Sequence, residues 1–103
     1  EQTRDFVYVQ DVVSANLRAA TEDAAAGKAF NIGTGNTITI NRLWQRVAEL
    51  ADIKLVPDYH DTRDGDILHS VAAIDAARQD LGYVPETPFE EGLAQTYAWY
   101  KRQ

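Results

Sequence analysis

The run TITINRLWQRVAEL, residues 37–50, is the feature that most narrows the fold. Ile40, Leu43, Val47 and Leu50 recur at i, i+3, i+7 and i+10, with Trp44 and Ala51 beside them. That is the apolar stripe of an amphipathic helix, and such a stripe must be laid on another element. Thr39 stands where its hydroxyl can cap the first turn. Three further segments carry helical signals. Asp11 reads as an N-cap for Val12, Val13, Asn16, Leu17 and Ala20, predicting a helix over 11–25 with Gly27 as its stop. Asp75 reads as the cap of a short helix ending at Leu81, with Gly82 just past its end. In TPFEEGLAQTYAWYKRQ, Thr87 is the predicted N-cap and Pro88 the first helical residue. Glu90 and Glu91 stand at the positive end of its dipole, Lys101 and Arg102 at the negative end. Phe89, Leu93, Thr96, Tyr97 and Tyr100 form its predicted inward face.

Between these helices lie short extended signals. Phe6–Val9 alternates as a strand. Ala29–Ile32 (AFNI) reads as a short buried strand, followed by GTGN as a turn. Lys54–Tyr59 (KLVPDY) reads as a strand interrupted by Pro57, hence an edge. Residues 67–71 read as extended. The predicted order is β-α-β-α-β-(β)-α-α: one small mixed α/β domain over 1–103, with about four helices and roughly three to four short strands. A hydrophobic share of 45% supports a packed core over disorder. No apolar run approaches the ~20 residues that span a bilayer. The net charge of −6 argues against nucleic acid as a partner. An anionic ligand would have to be held by a few well-placed arginines. The chain has no cysteine, in keeping with a reducing cytoplasm. It has no methionine, even at its first position, and it enters a strand-like alternation almost at once; a piece of a longer protein is the expectation.

HDTRDGDILHS, residues 60–70, gathers two histidines, three aspartates and one arginine. As a calcium loop it fails: with Gly65 sixth, His60 and Thr62 occupy ligand positions and Val71 stands where a glutamate belongs. A zinc site on His60 and His69 would need two more ligands, and no spacing supplies them. His69 and Ser70 are neighbours along an extended segment and so face opposite ways, which excludes them as a catalytic pair. GTG in FNIGTGNT lacks the third glycine of a dinucleotide fingerprint, since Ile38 stands there, and it reads as a tight turn. Tyr97 and Lys101 share a helical face but read as a core tyrosine with a dipole-compensating lysine. The arginines remain. Arg4 heads the first strand, and Arg63 follows a strand end. Two rigid guanidinium forks that converge can hold a pyrophosphate. Asp66, three residues after Arg63, can accept from sugar hydroxyls, with Gly65 freeing the turn. The competing reading pairs Arg63 with Asp61 or Asp64 on a surface loop, which contributes little.

TRDFVYVQDVVSANLRAA, FNIGTGNTITINRLWQRVAEL and TRDGDILHSVAAIDAARQDLGYVPETPFEEGLAQTYAWY occur here in order. They resemble the C-terminal part of NAD-dependent epimerase/dehydratases, extended short-chain dehydrogenase/reductases of the UDP-glucose 4-epimerase type that act on nucleotide sugars. The resemblance spans essentially the whole chain. It implies the substrate-binding half of such a protein, without the Rossmann domain that carries NAD. It implies that Arg4, in the RDF block, and Arg63, in the R-x-G-D block, contact the nucleotide diphosphate, and that Asp66 helps bind the ribose. Phe6 would border the ligand. Asp5, Asp11, Asp75 and Gly82 keep roles as caps and turn formers.

The resemblance also implies what these residues lack. The glycine-rich NAD fingerprint and the catalytic Tyr-x-x-x-Lys lie upstream of the RDF block in the family, and Tyr97 and Lys101 stand in the wrong place to be that pair. No catalytic, cofactor or metal residue is expected here, so the 103 residues alone should be inactive while the parent uses NAD. The expected partners are a nucleotide-diphosphate sugar and the missing Rossmann half, with no nucleic acid or membrane. Separated from that half, the domain should expose apolar surface and self-associate, and a concentration-independent monomer in sedimentation would contradict this. The alternative is a stand-alone, non-catalytic module that binds sugar nucleotides or a protein.

Overall fold

The computed structural model describes residues 2–54 and 67–103 of the chain. Its elements are β1 (Thr3–Arg4), α1 (Val9–Thr21), a 3-10 turn (Asp23–Ala25), β2 (Ile38–Thr39), α2 (Ile40–Ala51), α3 (Asp75–Leu81) and α4 (Phe89–Lys101). The mixed α/β character and the four helices match expectation. The strands among the described residues are shorter than predicted. β1 and β2 pair antiparallel, Thr3 opposite Thr39 and Arg4 opposite Ile38. His69 joins the other side of β1 through a parallel bridge to Thr3.

The helix ends follow local chemistry in some places and distant contacts in others. The Thr39 hydroxyl accepts from the Arg42 N–H at 3.0 Å, the predicted cap. α2 closes on Asp52, which adopts the left-handed conformation at φ 55°, a region that aspartate tolerates better than most side chains. Its successor Ile53 donates back to the Ala48 carbonyl at 3.0 Å, closing the helix as a Schellman turn does. α3 ends as predicted on Gly82 at φ 68°.

Several predictions are corrected. The Phe6–Val9 strand is absent: pairing falls at Thr3–Arg4, and Val9 already begins α1. Asp11 is not an N-cap; Tyr8 holds that position without a side-chain bond. The Asp11 carboxylate is buried and accepts instead from the Glu86 N–H, the Thr87 N–H and the Thr87 hydroxyl at 3.1–3.4 Å. Thr87 is thereby turned away from capping α4, whose N-cap is Pro88. Ala29–Ile32 enters no ladder among the described residues, although Phe30 and Ile32 do pack onto the core. A strand exists only with a partner. Of the predicted Lys54–Tyr59 strand, only Lys54 lies within the described residues.

α1 packs on α3, and α2 on α4. The first pair, with the 3-10 turn, encloses Ala15, Ala25, Ile74, Ala77, Leu81 and Tyr83, flanked by Phe30, Ile32 and Ala72. On α4 the buried residue is Gly92, because the Tyr8 side chain crosses there; a Cβ on Gly92 would lie 3.0 Å from Tyr8 Cβ. Phe89, Leu93 and Tyr97 are half-buried, while Thr96 and Tyr100 face solvent, correcting the predicted inward face. Glu90 bridges α4 to α2, accepting from Arg42 at 2.7 Å and from Arg46, which also reaches Glu49. On α1, Val9, Val13 and Leu17 form an exposed apolar row, 61, 49 and 65% accessible.

Candidate functional site

β1 is two residues long, yet a segment lies along each of its sides. Thr3 N–H donates to the Leu68 carbonyl at 2.9 Å, and Ser70 N–H donates to the Thr3 carbonyl at 3.3 Å. On the other side, Ile40 N–H donates to the Gln2 carbonyl at 2.9 Å. Side chains alternate along this strand. Gln2 and Arg4 share one side, and both donate to the Ile67 carbonyl, Gln2 Nε2 at 3.0 Å and Arg4 Nη2 at 2.6 Å. Arg4 Nη1 also reaches the carbonyls of Thr3 at 2.7 Å and Leu68 at 3.4 Å. Thr3 points the other way, its hydroxyl 2.8 Å from His69 Nδ1. Arg4 is the last residue of β1 and does not head a Phe6–Val9 strand as predicted; its guanidinium fork is turned onto residues 67 and 68. Arg63 and Asp66, the other predicted ligand residues, lie outside the described residues.

Beside Arg4, Asp5 is an acceptor for four donors. Its carboxylate takes the Thr34 N–H at 2.9 and 3.1 Å, the Thr34 hydroxyl at 2.5 Å, the Gly35 N–H at 2.9 Å and the Ala72 N–H at 3.2 Å. Partial burial pushes its pKa up, but these hydrogen bonds, led by the Thr34 hydroxyl, outweigh burial and hold the carboxyl below its ordinary value. The GTG turn is therefore pinned to β1 and to the segment after Ser70. Gly33 fits only without a Cβ, which would stand 2.6 Å from Ala72 Cβ and 2.7 Å from Asp5 Oδ2. Beneath the turn, the fully buried Tyr83 donates its hydroxyl to the Gly33 carbonyl at 2.7 Å. Burial raises its pKa, with the negative charges of Asp11 and Asp5 adding to the effect and Arg78 opposing it.

This arrangement bears on cofactor binding. A glycine-rich turn holds a pyrophosphate through unclaimed backbone N–H groups. Here the N–H groups of Thr34 and Gly35 already serve a carboxylate, so the GTG turn does not fit NAD. Among the described residues no group of three or more His, Cys, Asp or Glu side chains could hold a metal ion. No described helix is long and apolar enough to cross a membrane. A shallow polar groove, lined by Arg4, Asp5, Asn31, Ser70 and Ala72, runs beside β1. A second, apolar cleft lies between Phe6–Tyr8, Leu43 of α2, and Phe89 and Leu93 of α4. Phe6 and Phe89 meet there at 5.9 Å between ring centres.

Two residues of the site were not identified from sequence. Asp5 gave no local signal, because its donors lie 29 to 67 positions away. Gln2 did give one: it stands two residues before Arg4 and so shares its strand face.

Comparison with known proteins places this geometry among relatives. The family profile described as GDP-mannose 4,6 dehydratase matches residues 1–96. A UDP-glucose 4-epimerase of Mycolicibacterium smegmatis is 35% identical over 101 residues, covering 98% of this chain and 32% of its own length. The crystal structure of UDP-glucose 4-epimerase with UDP-glucose from Thermotoga maritima superposes with a TM-score of 0.90 at 37% identity, covering 99% of this chain and 32% of that one. MoeE5 in complex with UDP-glucuronic acid and NAD gives 0.89 at 34% identity, covering 98% and 34%. The chain spans about a third of the length of the relatives it matches.

Proposed function

Since the chain belongs to the GDP-mannose 4,6 dehydratase family and corresponds to the C-terminal part of an NAD-dependent epimerase/dehydratase, we propose that it is the nucleotide-sugar-binding portion of such an enzyme. In this reading Arg4 and Arg63 grip the diphosphate and Asp66 accepts from the ribose hydroxyls. A guanidinium offers five N–H donors in a planar fork, and the named contacts of Arg4 use only its two terminal nitrogens. The observation that carries the reading is the position of that fork. It lies on the carbonyl of Ile67, the residue directly after Asp66 and four beyond Arg63.

The seat of NAD is outside these 103 residues. The turn that most resembles a fingerprint is already satisfied by Asp5, and Tyr97 and Lys101 sit on the last helix. The residues here bind and orient the activated sugar; they do not take part in hydride transfer, and alone they turn nothing over. The exposed row Val9, Val13 and Leu17 supports the expectation that this portion, by itself, associates with other apolar surface.

Calorimetry on the full-length gene product with UDP, dTDP and GDP tests the assignment. One of these should bind, and Arg63→Ala should weaken it by about tenfold or more, the usual cost of losing a hydrogen bond to a charged group. Unchanged affinity in both Arg4→Ala and Arg63→Ala would refute the clamp.

A further inference from the structure

Resting on that reading, we infer that Gln2 is a positioning residue for nucleotide-sugar binding: together with Arg4 it holds the Ile67 carbonyl, and so fixes the segment that bridges to β1 at His69.

A backbone carbonyl has two lone pairs. At Ile67 one is met by the Gln2 amide at 3.0 Å and the other by the Arg4 guanidinium at 2.6 Å. Gln2 is itself anchored, since its own carbonyl accepts from Ile40 N–H at 2.9 Å at the start of α2. A continuous hydrogen-bonded link therefore runs from α2 through Gln2 to residue 67. Thr3 binds the segment at residues 68–70, but without Gln2 the Ile67 carbonyl itself would rest on Arg4 alone, the group that must also face the diphosphate. With Gln2 present, Arg4 shares the work of holding Ile67 and keeps its fork oriented. Gln2 thereby acts on the ligand through Ile67 and Arg4, without touching it.

The test uses two variants of the full-length gene product. Gln2→Met keeps the length and removes the donor. Gln2→Glu keeps the shape, accepts only, and offers Arg4 a carboxylate in place of the carbonyl. Gln2→Met should raise the Kd for UDP and the KM for the nucleotide sugar about fivefold, the size of one net hydrogen bond, with kcat unchanged. Gln2→Glu should raise both further. Neither should move the melting temperature of the ligand-free protein by more than about 2 °C, because the lost contact is exposed. A Gln2→Met protein that binds UDP within twofold of the parent would overturn the inference, and so would one that merely melts earlier with its affinity intact. If the unsubstituted protein binds none of UDP, dTDP or GDP, the nucleotide-sugar reading falls first and this inference falls with it.

Discussion

Replacing Asp5 with alanine removes the acceptor that pins the GTG turn to β1 and to residue 72. Four donors lose their partner: the N–H groups of Thr34, Gly35 and Ala72, and the Thr34 hydroxyl. Gly35 is exposed and the hydroxyl can rotate, so both recover water. Thr34 N–H and Ala72 N–H are half-buried, and each unmet donor there costs about 1.5 kcal/mol, giving roughly 3 kcal/mol in all. That is a large share of the ~5–15 kcal/mol that holds a domain together. Urea unfolding followed by circular dichroism reads it directly. With a slope near 1.5 kcal/mol/M, the midpoint should fall by about 2 M. Asp5→Asn supplies a second arm, because it keeps one acceptor oxygen and removes the charge. The folded pKa of Asp5 lies below its unfolded value, so its contribution is present above the unfolded pKa and is lost as pH falls through the folded one. The stability gap between parent and Asp5→Asn should therefore narrow below about pH 4. A midpoint shift under about 0.5 M in the alanine variant, or a gap that stays constant into strong acid, would refute this account of the turn.

Two other substitutions probe the same framework. Tyr83→Phe deletes the buried hydroxyl that donates to Gly33 and should cost about 1–2 kcal/mol in thermal or chemical unfolding. The raised phenol pKa adds an alkaline signature: this stabilisation is present below the unfolded value near pH 10 and is lost above it, so the variant should lose less stability on going to pH 11 than the parent does. Thr39→Ala removes the cap of α2 and should cost about 1 kcal/mol, with Thr39→Ser restoring most of it, as read by melting temperature.

What the sequence made legible is local. Thr39 was readable as a cap because its donor sits three residues away. Gly82 was readable as a helix end because only a residue comfortable at positive φ closes a helix there. The start of α2 and the end of α3 followed from these short-range rules, whereas the predicted caps Asp75 and Thr87 did not hold: Ile74 and Pro88 take those positions. Asp11 also broke the rules. Its side chain answers donors 75 and 76 positions downstream, and no window of a dozen residues contains that information. Phe6–Val9 misled for a related reason. Its β-branched alternation is a propensity, whereas the ladder is decided by which strand comes alongside, and that strand met residues 3 and 4. At the site, Arg4 was legible as a charged residue beside a strand, though it ends β1 and heads none. Two of the carbonyls that orient it, those of Ile67 and Leu68, were not, since they lie 63 and 64 positions away.

The seam at β1 also governs the order in which the molecule can assemble. Hydrogen bonds from Gln2, Thr3, Arg4 and Asp5 reach partners 63 to 67 residues away, whereas every helix is built from contacts four residues apart. Helices can form within microseconds on their own, but the seam gains nothing until a long loop has closed. On these grounds Arg4 is expected to acquire its orientation late, after the helices have formed. Mutations in the seam should accordingly leave the early collapse of the chain intact and act on its final, rate-setting step.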